Sequence, residues 1–274
     1  MNLLNQENIN TLKKDALSVR EKIINLAFSS GGGQHLGGGL SMIEIMCYLY
    51  GHYLNISPDK VNSEDRDRFI LSKGHGVLGF YPILNKYGFI SDKLLSTYKK
   101  EGSELISHPI KNTQNGIESS NGSLGHGLSY ASGISYGLKK RDINAKVVTL
   151  IGDGECNEGP IWEAAMSASA LRLNDLTCIV DNNKLQSDGA TREIIDCSAL
   201  YDKWSAFGWE VKKIDGHNFE EIDSAFKTKV QGPKLILAST IKGKGIDFME
   251  NNNEWHHGRL TESLYLKAME ELNK

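Results

Sequence analysis

Hydrophobic positions recur at helical spacing near the start of the chain. Ile9, Leu12, Ala16, Val19, Ile23, Leu26 and Ala27 mark one face of a helix that should stop at Gly31. SMIEIMCYLYGHYL predicts a second apolar helix, and RFILS a short strand ending in KGHG. Residues 124–140, LGHGLSYASGISYGLKK, are rich in small side chains and predict a closely packed helix. Beyond them the pattern alternates: strand KVVTLI, helix PIWEAAMSASALRL, strand LTCIVDN, helix SALYDKWSAFG, strand WEVKKI, helix NFEEIDSAFKTK, strand PKLILAS. Asn218 should cap the last of these helices, with Glu221 at the capping-box position.

Strand–helix alternation implies right-handed crossovers, and near-continuous apolar strands imply burial on both faces. The expected class is therefore α/β, a mainly parallel sheet with helices on both faces. No linker-like stretch divides the chain, so residues 1–274 are expected to form one domain with a helical N-terminal layer. Open sheets of this kind bind ligands beyond the carboxyl ends of their strands. GDG (152–154) follows one strand and Asn182-Asn183 ends the next, about thirty residues on, which is the length of a βαβ unit. The two stretches should stand side by side.

Composition narrows the function. A net charge of −3 with scattered Lys and Arg argues against nucleic acid as the main partner. No window approaches ~20 apolar residues, and the N-terminus has no signal-like stretch. Cys47, Cys156, Cys178 and Cys197 lack metal-site spacing and suit reduced thiols, three of them buried or nearly so, in a cytoplasmic protein. The 28 glycines exceed ordinary usage and gather at GGGQHLGGG, SKGHG, NGSLGHG, GDG and IKGKG, so they mark positions rather than a bias. GGGQHLGGG is not a dinucleotide fingerprint, because a helix precedes it. IKGKG lacks P-loop spacing. His52 and His217 suit hydrogen-bonded structural roles, and Trp162 and Trp204 suit the core.

Asp153 carries the most specific chemistry. A lone carboxylate between two glycines, beside an Asn amide, offers few charges and hard oxygens, which suits Mg²⁺ that keeps water or substrate phosphates. The missing negative charge would come with a diphosphate, which Gly152 and Gly154 would let approach, facing the helix that begins near Pro160. GDG alone is more often a tight turn whose Asp caps the next helix, and it is Asn182-Asn183 at βαβ spacing that favours the cation reading.

GDG with Asn-Asn about thirty residues on resembles the thiamine diphosphate motif, and the chain from about Leu17 to His257 resembles transketolase. GGQHLGG is similar to that family's glycine–histidine segment, SKGHG and SHP to its second and third histidine segments, NGSLGHG to its phosphate loop, and GDGECNEG to its magnesium loop with the following glutamate. The resemblance implies a thiamine diphosphate-binding fold with thiamine diphosphate and Mg as cofactors. It implies Asp153, Asn183 and the carbonyl of Leu185 as metal ligands. Gly122, Ser123, Leu124, Gly154 and Asn183 would surround the diphosphate, and His75 would contact the cofactor. His35 and His108 would line the substrate channel, and Glu158 would lie at a subunit contact and couple protons between sites. His257 fits the family's final HG. Two positions depart from the pattern. His126 stands where glutamine is common, and His256 and His257 are adjacent where the family separates two histidines, which puts Glu254 in the other's place.

In transketolases the glutamate that activates the aminopyrimidine lies in a second domain. The resemblance thus leads us to expect, as partner, a separate C-terminal transketolase subunit in a two-plus-two heterotetramer that moves a two-carbon ketol unit between sugar phosphates. Two alternatives stand beside this reading. One is the α-subunit of a 2-oxoacid decarboxylase or dehydrogenase, and the other is a non-catalytic half-enzyme.

Overall fold

The computed structural model describes residues 4–196 and 198–273. The opening helix, Gln6–Ser30, starts where the Asn5 side chain accepts the Asn8 N–H at 2.8 Å and stops at Gly31. Five strands form one parallel sheet: β1 (Arg68–Leu71), β2 (Val147–Gly152), β3 (Leu176–Asn182), β4 (Glu210–Asp215) and β5 (Lys234–Ser239). Their spatial order is β1-β2-β3-β5-β4.

Both faces of the sheet are buried, and the side chains alternate between two cores. Val148 and Leu150 of β2, Ile179 of β3, and Ile236 and Ala238 of β5 pack with helices Gln6–Ser30, Ile43–Tyr48, Val77–Lys86 and Phe219–Lys227. Val147 and Ile151, Leu176, Cys178 and Val180, and Leu235 and Leu237 pack on the other side. There they meet helices His126–Lys140, Gly159–Ala170 and Leu200–Ala206. This is the two-sided parallel sheet that the apolar strands predict. Trp162 and Trp204 pack against each other with ring centroids 5.3 Å apart, inside or beside that second core.

Three local readings change. The helix expected through SMIEIMCYLYGHYL runs from Ile43 to Tyr48 and then widens directly into a π-type turn, Leu49–Tyr53, while a separate short helix, Gly37–Leu40, precedes it. A Cβ on Gly51 in that turn would meet the Tyr87 hydroxyl at 2.6 Å, so the chain there follows a distant neighbour. The helix expected from residue 124 begins at His126, because Gly125 holds φ +87, a conformation that opens a turn rather than a helix. Asn218 caps its helix by accepting from Glu220 N and Glu221 N, but Glu221 turns its carboxylate to Asp215 N (2.8 Å) instead of closing a capping box. Cys47, Cys156 and Cys178 are buried, and Cys197 lies outside the described residues. No helix among the described residues is long and apolar enough to cross a membrane.

Candidate active site

The carboxyl ends of β1, β2, β3 and β5 carry Ser72-Lys73-Gly74-His75, Asp153-Gly154, Asn182-Asn183 and Thr240-Ile241-Lys242. Pairing of Gly152 with Asp181 puts the GDG and DNN stretches next to each other, as their spacing predicts. They open into a cavity of about 410 Å³ lined by, among others, His35, His75, His108, Asp153, Asn183 and Lys242.

Asp153 is buried at 3% exposure. One oxygen accepts Gly154 N–H at 2.8 Å and the other Lys184 N–H at 2.6 Å. Lys184 reaches it by adopting φ +64, a left-handed conformation that a lysine takes only when its surroundings impose it. Burial, followed by the nearby Asp181 carboxylate, pushes Asp153 up to about 6. Asn183 Oδ1 accepts Leu185 N–H at 3.1 Å within the same loop. Among the described residues no three His, Cys, Asp or Glu side chains are disposed to hold a metal by themselves. A cation here would rest on one carboxylate, the Asn183 amide and the Leu185 carbonyl, and would need further oxygens from its ligand.

The donor set fits a diphosphate. Gln186 Nε2 is a buried side-chain donor without a hydrogen-bond partner on the cavity wall. It lies over Gly154, where a Cβ would stand 2.7 Å from Gln186 Cγ. Lys73 and Lys242, 2% and 1% exposed, bring two ammonium groups to the same wall. Burial lowers Lys242 to about 8. Its Nζ donates to Gln186 O (2.9 Å), Leu185 O (3.3 Å) and His256 Nδ1 (2.8 Å). Gly122 and Leu124 line the cavity, whereas Ser123 is exposed and does not. Behind this loop Glu155 is buried, bonded to Ser72 Oγ and to the N–H groups of Gly125 and Gly152, and so ties the loop to β2.

The histidines converge around His35. Its ring centroid lies 5.4 Å from His75, 6.3 Å from His108, 5.5 Å from His256 and 4.7 Å from His257. His256 lines the cavity, while His257 is exposed and backs His35 against Gly33, where a Cβ would meet the His257 ring at 2.2 Å. Of the adjacent pair, therefore, His256 faces the cavity. Glu254 is exposed and outside the lining, as is His126. Glu158 sits exposed on the rim. Lys73, Lys242, Gln186 and Glu155 are site residues that sequence reasoning misses. IKGKG invites comparison only with a P-loop, and SKGHG draws notice only for its histidine.

Burial, then neighbouring histidines and lysines, lowers His35 to about 4; burial and Lys242 do the same to His256. His75 is also lowered well below the ordinary imidazole value, by burial and then Lys73. These imidazoles are neutral at pH 7, and because Lys242 donates to His256 Nδ1, the His256 proton sits on Nε2. A histidine that titrates lower folded than unfolded is protonated first in the unfolded chain, so acid favours unfolding. Melting temperature should fall as pH drops from about 6.5 towards 4. A His35→Gln/His256→Gln variant should show a shallower fall, readable in a melting series across that range.

Residues 16–271 match the family model described as transketolase, thiamine diphosphate binding domain. The chain is 43% identical over 246 residues to the 6-deoxy-6-sulfo-D-fructose transketolase subunit of a Clostridium species, covering 89% of this chain and 90% of that one. The chain belongs to the transketolase family. It is also 36% identical to an apulose-4-phosphate transketolase subunit from Phocaeicola vulgatus, over 97% of this chain and 95% of that one. The crystal structure of transketolase from Campylobacter jejuni superposes with a TM-score of 0.87 at 27% identity, over 98% of this chain but 43% of that longer one. The parallel sheet and its flanking helices are thus those of a transketolase.

Proposed function

We propose that this chain, acting over residues 1–274 as one unit, is the diphosphate-binding subunit of a two-subunit transketolase that moves a two-carbon ketol unit from a ketose phosphate to an aldose. The observation that carries this reading is one cavity holding a cation-competent Asp153, Asn183 and Leu185 carbonyl beside the neutral imidazoles of His35, His75 and His256. The relatives named as transketolase subunits, which match nearly end to end, support a separate partner. We place that partner in a two-plus-two assembly in the cytoplasm.

When bound, thiamine diphosphate supplies the centre that stabilises the carbanion left by C–C cleavage. Asp153, Asn183 and the Leu185 carbonyl would hold Mg²⁺. Gly122, Leu124, Gly154, Asn183, Gln186 and Lys242, all on the cavity wall, would surround the diphosphate, with His75 against the cofactor, whereas Ser123 lies outside the wall. His35, His108 and His256 would accept and return protons at the sugar hydroxyls; burial keeps the His35 and His256 imidazoles neutral, and so able to accept, at pH 7. His257 would steady His35. Glu158, exposed on the rim, would meet the partner, which contributes the carboxylic acid that activates the aminopyrimidine.

The test is to purify the chain with whatever second subunit copurifies with it and to assay ketose phosphate and 2-oxoacid donors side by side. Ketol transfer by the pair, with the isolated chain at least ~100-fold slower for lack of the activating acid, is expected. Decarboxylation of the 2-oxoacid with no ketol transfer would overturn the assignment, as would full activity of the chain alone.

A further inference from the structure

Two buried side chains and a half-buried histidine, all outside the cavity, form a continuous hydrogen-bonded chain. Arg20 lies on helix Gln6–Ser30, Glu44 on helix Ile43–Tyr48, and His217 in the turn between β4 and helix Phe219–Lys227. Arg20 Nη2 lies 2.7 Å from Glu44 Oε1, and His217 Nδ1 lies 2.9 Å from Glu44 Oε2. The other two atoms of this chain face the segment after β5. Arg20 Nε donates to Lys244 O at 2.9 Å, and His217 Nε2 accepts Ile241 N–H at 2.9 Å. Because Nε2 accepts, Nδ1 carries the proton and donates to Glu44.

Ile241 and Lys244 bracket Lys242, whose Nζ reaches the Leu185 and Gln186 carbonyls and His256 Nδ1. A lysine has a long, flexible stem, so the placement of its head depends on a fixed backbone. The backbone between the two anchors is also confined from the cavity side. Gly243 N–H donates to Gly37 O at 3.0 Å, and a Cβ on Gly37 would meet Lys242 Cγ at 2.8 Å. Arg20 itself presses on Gly245, where a Cβ would lie 2.8 Å from Arg20 Cδ.

We propose that Arg20, Glu44 and His217 are positioning residues that clamp residues 241–244 and thereby hold the Lys242 ammonium on the Leu185–Gln186 loop and on His256. The proposal rests on the cofactor site described above. It gives His217 a task beyond packing, although no atom of the clamp lines the cavity.

The experiment is a double-mutant cycle on the full chain with its copurified partner, reading the dissociation constant of thiamine diphosphate in excess magnesium by calorimetry. Outer residues that orient a ligating group typically matter by 10- to 100-fold in affinity, so His217→Phe should weaken binding about 10-fold. Lys242→Met should weaken it at least as much. The double variant should bind no worse than Lys242→Met alone, since the clamp acts only through that lysine. A general structural role would instead give multiplying losses in the double variant, and that result overturns the proposal, as does unchanged binding by His217→Phe. Should His217→Phe fail to fold, Glu44→Gln, which keeps an acceptor but removes the charge, should show a smaller loss that also vanishes in the Lys242→Met background. Failure of the wild-type complex to bind the cofactor at all would sink the site reading itself. Wild-type binding with an undiminished Lys242→Met would sink only the clamp.

Discussion

Replacing Asp153 by asparagine is expected to raise the melting temperature of the ligand-free chain while abolishing its response to thiamine diphosphate and magnesium. The carboxylate is almost fully enclosed, and burial together with Asp181 opposes its ionised form. Asparagine removes that charge and keeps one oxygen for Gly154 N–H, at the loss of an acceptor for Lys184 N–H. The net gain should be about 1 kcal/mol, or 2–4 °C in a chain of this size. In the wild type, cofactor at a hundred times its dissociation constant adds ~2.7 kcal/mol, which is roughly 5–10 °C. The variant should shift by less than ~1 °C, and ketol transfer should fall by more than ~100-fold, since a direct ligand matters at least as much as its supporting shell. A thermal shift equal to the wild type's would mean that the cation rests elsewhere. This outcome separates a metal ligand from a merely buried turn residue, because a turn residue would lose stability without changing ligand response.

Asp153 is legible in the sequence because its position depends only on local and adjacent-strand rules. An apolar strand of buried length, a GDG end and a second strand end one βαβ unit later leave little freedom in where the two carboxyl ends meet. The histidines are harder. His35, His75, His108 and His256 come from four separate segments, and only the transketolase resemblance groups three of them. The choice of His256 over His257 as the cavity-facing ring turns on His257 packing against Gly33, a contact that no spacing rule reports. The lysines are hardest. Lys73 and Lys242 are among the most buried polar residues described, yet lysine is almost always solvated, and nothing local distinguishes these two from the other cations. Their burial is set by carboxylates and carbonyls contributed from far along the chain. The same holds for the π-type turn at Leu49–Tyr53, where the Tyr87 hydroxyl crowds Gly51.

Lys73→Met should be the most damaging single change to stability in the site. Asp181 is completely buried, and burial by itself would favour its protonated form; Lys73, Ser41 and Thr240 together hold its carboxyl below the usual range. Those three partners arrive from the end of β1, from the segment after Gly37–Leu40 and from the end of β5. Lys73 also donates to Gly38 O at 2.7 Å, in the stretch that carries His35. Methionine fills the same space but leaves a buried carboxylate with two neutral donors. Breaking a buried pair from one side costs about 3–5 kcal/mol, or roughly 6–20 °C in melting temperature here. Removing both charges should be milder, because the penalty lies in the unpaired ion rather than in the missing pair. The expected order of melting temperature is therefore wild type, then Lys73→Met/Asp181→Asn, then Lys73→Met. If the single variant were as stable as the wild type, the pair would not be what holds these strand ends together. If the double variant recovered stability but still bound thiamine diphosphate poorly, the pair's main contribution would be to site geometry. The segments it joins lead directly to His75, Asn183 and Lys242, so loosening it should displace the cofactor's contacts before it unfolds the sheet.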